Sequence, residues 1–130
     1  FKDFGRTAAR IDDAANYLPA RLTALLMALA TCIPFRKGKS ARNLKEELRF
    51  IRRYGRMHAS PNSGYPEAAL AGILDCRFSG PHHYFGEYCF KPYIGNRLRP
   101  LTTADMRQAV AINRRAEILM ILTGVLLYLL

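Results

Sequence analysis

Two almost purely apolar stretches, residues 22–35 and 118–130, limit what this chain can fold into more than any other feature. Neither contains a charged side chain, and each is shorter than the roughly 20 apolar residues that a membrane-spanning helix needs. The first reaches that length if it begins at Tyr17, because the long side chain of Arg21 can extend its charge to the membrane interface. The pattern predicts apolar segments at about 17–35 and 117–130. A re-entrant helix stays open as an alternative for residues 1–35.

The charge of the chain lies mainly between these two segments. Twenty Lys and Arg residues against ten Asp and Glu residues give a formal net charge of +10 at pH 7. Such a balance suits a nucleic acid, an anionic membrane face or an anionic small molecule as partner. Because Lys and Arg are dense next to both apolar segments, the positive-inside rule places residues 36–116 in the cytoplasm. The sequence thus predicts an all-α, membrane-associated protein with a basic cytoplasmic helix-loop region between two apolar segments, located in the cell (inner) membrane.

Helical periodicity and capping residues outline the elements. Apolar side chains recur at helical spacing over residues 4–18, and Pro19 ends that helix or begins the next. Asn43 followed by Glu46 resembles a capping box, and so does Thr102 followed by Asp105. Each pair predicts the start of a helix.

Further patterns describe the middle of the chain. After Asn43, the side chains of Leu44, Leu48 and Ile51 form an apolar stripe opposite basic residues, which is typical of a helix on an anionic membrane surface or of a core-packing helix. A helix of small residues follows Pro66 and can approach a neighbouring helix closely. Residues 79–100, rich in Gly, Pro and Tyr, are predicted to be a structured loop.

Three patterns resemble known kinds of site but lack a residue or a spacing that the site requires. Gly38-Lys39-Ser40 lacks the first glycine of a phosphate-binding loop, since position 33 is Ile. The Cys and His residues between Cys76 and Cys89 do not have the spacing of a structural zinc site. Three cysteines at irregular spacing imply no disulfide framework.

Two polar clusters carry the candidate chemistry. Five polar residues stand directly before or at the start of an apolar segment: Arg10, Asp12, Asp13, Asn16 and Arg21. Charged side chains at such a place are energetically costly unless they are paired or face a water-filled cavity. The turn from Ser60 to Glu67 offers a hydroxyl, an amide and backbone N–H groups at a helix start, which is either an anion cradle or a well-capped helix. His58 precedes that turn as a hydrogen-bonding residue or a base.

Both clusters resemble one known family. Arg10-Ile11-Asp12-Asp13, Asn16 and Pro19-Ala20-Arg21-Leu22-Thr23 are similar to the R-x-D-D-x-x-N-x-x-P-A-R-L-T signature of the cobalamin-biosynthesis CbiB/CobD family. His58-Ala59-Ser60-Pro61-Asn62-Ser63-Gly64-Tyr65-Pro66-Glu67-Ala68 resembles its H-x-S-P-N-[AS]-G-x-P-E-A block. Shorter motifs follow in the family's order at Gly80-Pro81, Tyr84-Phe85-Gly86, Lys91-Pro92-Tyr93-Ile94-Gly95 and Arg99-Pro100-Leu101.

The resemblance implies an activity and a set of partners. The family's enzymes join adenosylcobyric acid to aminopropanol or its phosphate through an amide bond, with ATP and Mg²⁺ as the implied cofactors. It also implies a multi-pass membrane protein, of which this chain is expected to be the C-terminal part and inactive alone. The implied partners are the corrinoid substrate, aminopropanol phosphate, membrane lipid and other enzymes of the B12 pathway, with no nucleic acid among them.

The motif positions imply roles for single residues. The implied catalytic residues are Asp12, Asp13, Glu67 and His58, with Asp12 and Asp13 also as Mg²⁺ sites. The implied substrate-binding residues are Arg10, Asn16, Arg21, Ser60, Asn62, Ser63, Gly64, Tyr65 and Tyr84.

Two other functions are compatible with parts of the sequence. A non-catalytic membrane scaffold for the B12 pathway would share the motifs, and complementation of a strain that lacks the synthase separates scaffold from enzyme. A basic nucleic-acid-binding module would explain the charge but not the two apolar segments, and its affinity would fall steeply with salt.

Overall fold

The computed structural model describes residues 2–32 and 43–130, and the chain is mostly helical within them. The elements follow in the order α1 (Lys2–Ala15), α2 (Tyr17–Ala30), α3 (Leu44–Tyr54), α4 (Gly64–Leu74), β1 (Arg77–Ser79), β2 (His82–Tyr84), β3 (Glu87–Cys89), β4 (Tyr93–Gly95) and α5 (Thr103–Leu129).

The first helical stretch is divided earlier than its periodicity predicts. Helix α1 ends at Ala15, Asn16 forms a turn, and α2 begins at Tyr17. Pro19 therefore lies in the first turn of α2, where its missing N–H leaves no helical hydrogen bond unmade. The break brings the polar end of α1 next to the start of α2.

The core lies where α2, α4 and α5 meet, with α3 packed against α2 and α4. Half of its buried members are alanines, which allow the helix backbones to approach closely. The central cluster consists of Ala24, Leu26, Met27, Ala28, Ile51, Ala69, Ile112 and Ala116. The predicted close approach at the small-residue helix is confirmed in α4.

Helix α3 begins as predicted, and part of its predicted apolar stripe packs against the core. The side-chain oxygen of Asn43 accepts a hydrogen bond from the backbone N–H of Glu46 at 2.9 Å, which confirms the cap. The buried side chains are Glu47, Phe50 and Ile51, whereas Leu48 is 38% exposed. Ile51 and Leu44 of the predicted stripe pack in or against the core, and Leu48 is exposed, so the choice between a membrane surface and the core stays a prediction.

Four short strands correct the all-α prediction and the predicted loop at 79–100. Strand β1 pairs antiparallel with β4, with Ser79 opposite Tyr93, and β2 pairs antiparallel with β3. The turn between β2 and β3 places Phe85 and Gly86 at positive φ, which joins two adjacent antiparallel strands tightly. Periodicity could not reveal strands of three residues.

Helix α5 has the predicted capping box. Thr102 Oγ1 accepts from the N–H of Asp105, and an Asp105 carboxylate oxygen accepts from the N–H of Thr102 at 2.8 Å. Ile112 and Ala116 are buried against the core, while the residues from Ile121 to Leu130 are exposed. No helix in residues 2–32 and 43–130 is both long and apolar enough to span a bilayer. Residues 33–35 of the first predicted apolar segment, and Gly38-Lys39-Ser40, lie outside the described residues.

Candidate functional site

The side chain of Asn62 joins the two polar clusters. It is 6% exposed, and its Oδ1 accepts a hydrogen bond from Arg21 Nη1 at 2.9 Å. Its Nδ2 donates to the backbone carbonyl of Asp13 at 2.8 Å. A buried amide with partners on both ends is strongly oriented, because leaving either end unpaired would be costly. The end of α1, the start of α2 and the turn before α4 therefore form one site.

Arg21 holds this junction together. Besides Asn62, its guanidinium donates to the carbonyls of Tyr17 at 2.7 Å and Pro61 at 3.1 Å. Its central carbon lies 3.4 Å from the ring centroid of Tyr17 and 4.2 Å from that of Tyr65. Stacking between two rings, together with hydrogen bonds in the guanidinium plane, fixes the orientation of the side chain. Arg21 thus positions the turn through contacts with the protein.

Two neighbouring cations, Arg21 and Arg56, lower the pKa of the Tyr65 phenol. Burial raises the pKa of Tyr65, but a hydrogen bond from Arg56 and the charge of Arg21 outweigh it, so the pKa lies below its ordinary value. The ring also packs close to Gly55, where an added Cβ would come 3.0 Å from a ring carbon. Tyr65 is therefore wedged between α2 and the end of α3, beside two guanidinium groups.

The turn before α4 is organised by its own side chains. Ser60 Oγ accepts from the N–H groups of Asn62 at 3.3 Å and Ser63 at 3.4 Å. The N–H of Ser60 donates to Nδ1 of His58 at 3.0 Å. A Cβ at Gly64 would clash with the carbonyl of Gly55 and with the His58 side chain, so only glycine allows this approach. Two of the backbone N–H groups of the predicted anion cradle already have an acceptor within the turn.

The carboxylate of Glu67 faces two neighbours. Its Oε2 lies 4.0 Å from His58 Nε2, and its Oε1 accepts a hydrogen bond from the Ser79 hydroxyl at 2.7 Å. The side chains of His58 and Glu67 are 22% and 25% exposed, so a ligand can still reach them. A partly open carboxylate between an imidazole and a hydroxyl can bind an ammonium group or accept a proton.

The other predicted residues lie at varying distances from this centre. Asn16 Nδ2 donates to Asp12 Oδ1 at 2.9 Å on the exposed side of the α1–α2 junction, and Arg10 is exposed on α1. Tyr84 is 63% exposed on the β2–β3 hairpin, and among the described elements these two strands contact only each other. The structure therefore does not bring Tyr84 to the junction.

A metal site is not visible among the described residues. Within residues 2–32 and 43–130, no group of three or more His, Cys, Asp or Glu side chains could hold a metal ion. Mg²⁺ needs only one or two protein carboxylates when substrate phosphates supply the remaining ligands. Asp12 and Asp13 are neighbours on α1 and point in different directions, so one of the two carboxylates would be such a ligand.

Some residues of the site were not predicted from the sequence. Tyr17 and Arg56 flank Arg21 and Tyr65, and Ser79 bonds Glu67. Tyr17 lies four residues before Arg21, a spacing that puts both on one helix face and could have indicated the stack. No pattern in the sequence indicates Ser79, because strand pairing brings it to Glu67.

Comparison with known proteins agrees with the motifs. A sequence model of the CobD/Cbib protein family matches residues 1–113. A cobalamin biosynthesis protein CobD from Desulfotalea psychrophila is 48% identical over 106 residues, covering 82% of this chain and 30% of that protein. The protein of the same name from Geobacter metallireducens is 45% identical over 119 residues, covering 92% of this chain and 36% of that protein.

The Klebsiella pneumoniae protein of that name is 41% identical over 110 residues, with 85% of this chain and 33% of that protein covered. The chain thus spans about a third of the length of the curated relatives that it matches. No solved structure matches it. On the family match and these identities, the chain belongs to the CobD/Cbib family.

Proposed function

We propose that this chain is part of a cobalamin-biosynthesis enzyme that joins the carboxyl group of adenosylcobyric acid to aminopropanol or its phosphate. Family membership supports the pathway, since the matched relatives are named cobalamin biosynthesis proteins. The observation that carries the proposal is the bond of Asn62 to both Arg21 and Asp13. Through it, both long family motifs contribute to one site.

Amide formation requires an activated carboxyl group, because condensation of a carboxylate with an amine in water is uphill. ATP with Mg²⁺ would supply that activation by phosphorylating the carboxylate. The ammonium group of the amine first loses one proton, since only the neutral amine has a lone pair. Its nitrogen then forms the C–N bond, the bond from carbon to the phosphate oxygen breaks, inorganic phosphate leaves, and the nitrogen loses a second proton. The protein has to bind anionic phosphate, accept these protons and orient both substrates.

The described residues divide between these tasks by charge. Glu67 is proposed to receive the ammonium group and its proton, with His58 beside it. Asp12 and Asp13 are the candidates for Mg²⁺. The exposed Arg10 is proposed to contact phosphate or the corrinoid side chains. Arg21, Ser60 and Asn62 are proposed to shape the site, because much of their bonding capacity is used within it.

We also propose that the protein works at the cell membrane, with residues 36–116 facing the cytoplasm. The exposed apolar end of α5 supports this placement, as does the net charge of +10. The aminopropanol arm, the cofactors and the membrane location all belong to the whole enzyme, of which this chain covers one part.

Two substitutions in the full-length enzyme test the activity. Asp13→Asn and Glu67→Gln keep the shape of each side chain and remove its charge, so each should abolish corrinoid amidation. Glu117→Gln, an exposed carboxylate of α5, is the matched control and should leave the rate unchanged. Amide product is measured by chromatography of the corrinoids. Full activity in both site variants would overturn the proposal.

A further inference from the structure

One contact of Glu67 comes from outside both long motifs. Ser79 stands at the end of β1, twelve positions along the chain, and its hydroxyl donates to Glu67 Oε1 at 2.7 Å. We propose that Ser79 is a positioning residue, which holds the Glu67 carboxylate in the orientation that receives the substrate's ammonium group. This inference rests on the proposed function and names a residue that determines binding of the amine.

The backbone around Ser79 is unusually constrained. Ser79 has φ of +57°, a left-handed conformation that costs free energy for a residue with a Cβ and persists only when its surroundings enforce it. Gly80 follows at φ +99°, and a Cβ there would clash with the ring of Tyr93. Tyr93 lies opposite Ser79 in the strand pair, and the Arg77 guanidinium stacks 3.9 Å from its centroid. The β1–β4 pair therefore determines where the hydroxyl points.

The second carboxylate oxygen of Glu67 lies near the imidazole of His58, and the tautomer of this imidazole follows from its hydrogen bond. Nδ1 of His58 accepts the hydrogen bond from the N–H of Ser60 at 3.0 Å, so the hydrogen of neutral His58 is on Nε2. That nitrogen lies 4.0 Å from Glu67 Oε2. Each carboxylate oxygen thus has a donor group on its protein side, and each keeps acceptor capacity for another donor. An ammonium group, with three N–H donors, fits that remaining capacity.

The charges around Glu67 differ from those around Tyr65. Glu67, Ser79 and His58 provide one negative charge and no permanent positive charge, whereas the guanidinium groups of Arg21 and Arg56 gather at Tyr65. The ammonium group of the amine substrate is attracted to the first set, whereas its phosphate is attracted to the guanidinium groups. Loss of the Ser79 hydroxyl should therefore affect binding of the amine and leave the corrinoid unaffected.

The test uses two variants of the full-length enzyme that share the loss of the hydroxyl. Ser79→Gly also removes the backbone cost of the left-handed conformation, whereas Ser79→Ala keeps it. If the hydroxyl positions Glu67, both variants should raise the KM for aminopropanol phosphate about ten-fold, the effect expected for one lost hydrogen bond to a charged group. The KM for adenosylcobyric acid should stay within about two-fold.

Several outcomes would overturn the inference. An unchanged KM for the amine in Ser79→Gly would show that the hydroxyl is dispensable. Impairment of Ser79→Ala alone would assign the effect to the backbone, and an equal rise in both KM values would indicate general disturbance of the site. If the unsubstituted enzyme forms no amide, the proposed function itself fails, a result distinct from an active enzyme that is indifferent to Ser79.

Discussion

At the scale of single residues, Arg99 contributes more hydrogen bonds than any other side chain in the part of the chain described. Its guanidinium donates to both carboxylate oxygens of Asp105, at 2.8 and 2.7 Å. It also donates to the carbonyls of Leu74 at 2.6 Å and Asp75 at 3.0 Å, where α4 ends. These last carbonyls of a helix have no partner within the helix. Arg99 therefore ties the end of α4 to the start of α5.

We expect Asp105→Asn to lower the free energy of unfolding by about 3 kcal/mol at pH 7, because it leaves the Arg99 charge without its partner in a site where Asp105 is only 4% exposed. The hydrogen bond from Arg99, followed by those from Thr102, holds the pKa of Asp105 well below its ordinary value. A depressed pKa in the folded state contributes stability above the unfolded pKa, near 4, and the contribution is lost as the pH falls further. Urea unfolding should therefore show that the difference in free energy of unfolding between variant and parent is smaller below pH 4 than at pH 7.

The exposed pair of Arg97 and Asp75 provides the control. Both side chains are substantially solvated, at 65% and 46% exposure, and such pairs contribute less than about 1 kcal/mol. Asp75→Asn should therefore cost little, since Asn also tolerates the positive φ at this position. If Asp75→Asn lowered the free energy of unfolding as much as Asp105→Asn, burial would not explain the stability that the Arg99–Asp105 pair contributes.

The structure brings the two predicted polar clusters together, and the roles implied for their residues stay predictions. Arg10 and Asp13 are predicted from their place beside an apolar segment, and Asn62 and Glu67 from a turn at a helix start. The structure brings Asn62 to Asp13 and Arg21. The resemblance implied that Arg21 contacts substrate, yet its guanidinium is engaged by protein carbonyls and two rings. Such saturation depends on tertiary distances, which a motif does not contain.

At the scale of elements, the packing of α3 on α4 depends on the small residue Gly72. A Cβ added there would clash with the carboxylate of Glu47, a residue that is 2% exposed. The neighbouring faces carry Phe50, Ala68 and Ala71. A buried carboxylate cannot withdraw to water without opening the interface, so a small residue at position 72 is required.

Gly72→Ala should therefore destabilise the fold by about 2 kcal/mol, the cost of forcing extra volume into a packed interface. This sign is opposite to the intrinsic helix preference, which favours Ala over Gly by roughly 1 kcal/mol. Gly5→Ala in α1 is the matched control, because a Cβ there meets nothing within 4 Å. Thermal unfolding followed by circular dichroism measures both. Stabilisation by Gly72→Ala would contradict the close packing.

Sequence patterns predicted the features that depend on residues close together in the chain. The caps at Asn43 and Thr102 were correct, because a cap depends on residues three positions apart. The all-α assignment was incomplete, because the strands depend on partners up to 18 positions away, as for Arg77 and Gly95.

At the scale of the whole molecule, the long helix α5 divides into two environments. Ile112 and Ala116 belong to the core with α2, whereas the large apolar side chains from Ile121 onwards are half exposed or more. Exposed apolar surface of this extent is typical of a face that contacts another protein segment or a membrane. The basic charge of the chain adds attraction to anionic lipid.

We therefore expect the protein to sediment with phosphatidylglycerol vesicles, and the apolar end of α5 to carry much of the binding free energy. Leu122→Gln and Leu126→Gln change no charge and remove apolar side chains that are each 59% exposed, so each should weaken partitioning about ten-fold. Val110→Gln, on the same helix before the apolar end, is the control and should leave partitioning within about two-fold. Raising the salt concentration should weaken binding of all variants alike, since it screens only the charges. Equal binding by the Leu126→Gln variant and its parent would instead assign this helix end to contacts with protein.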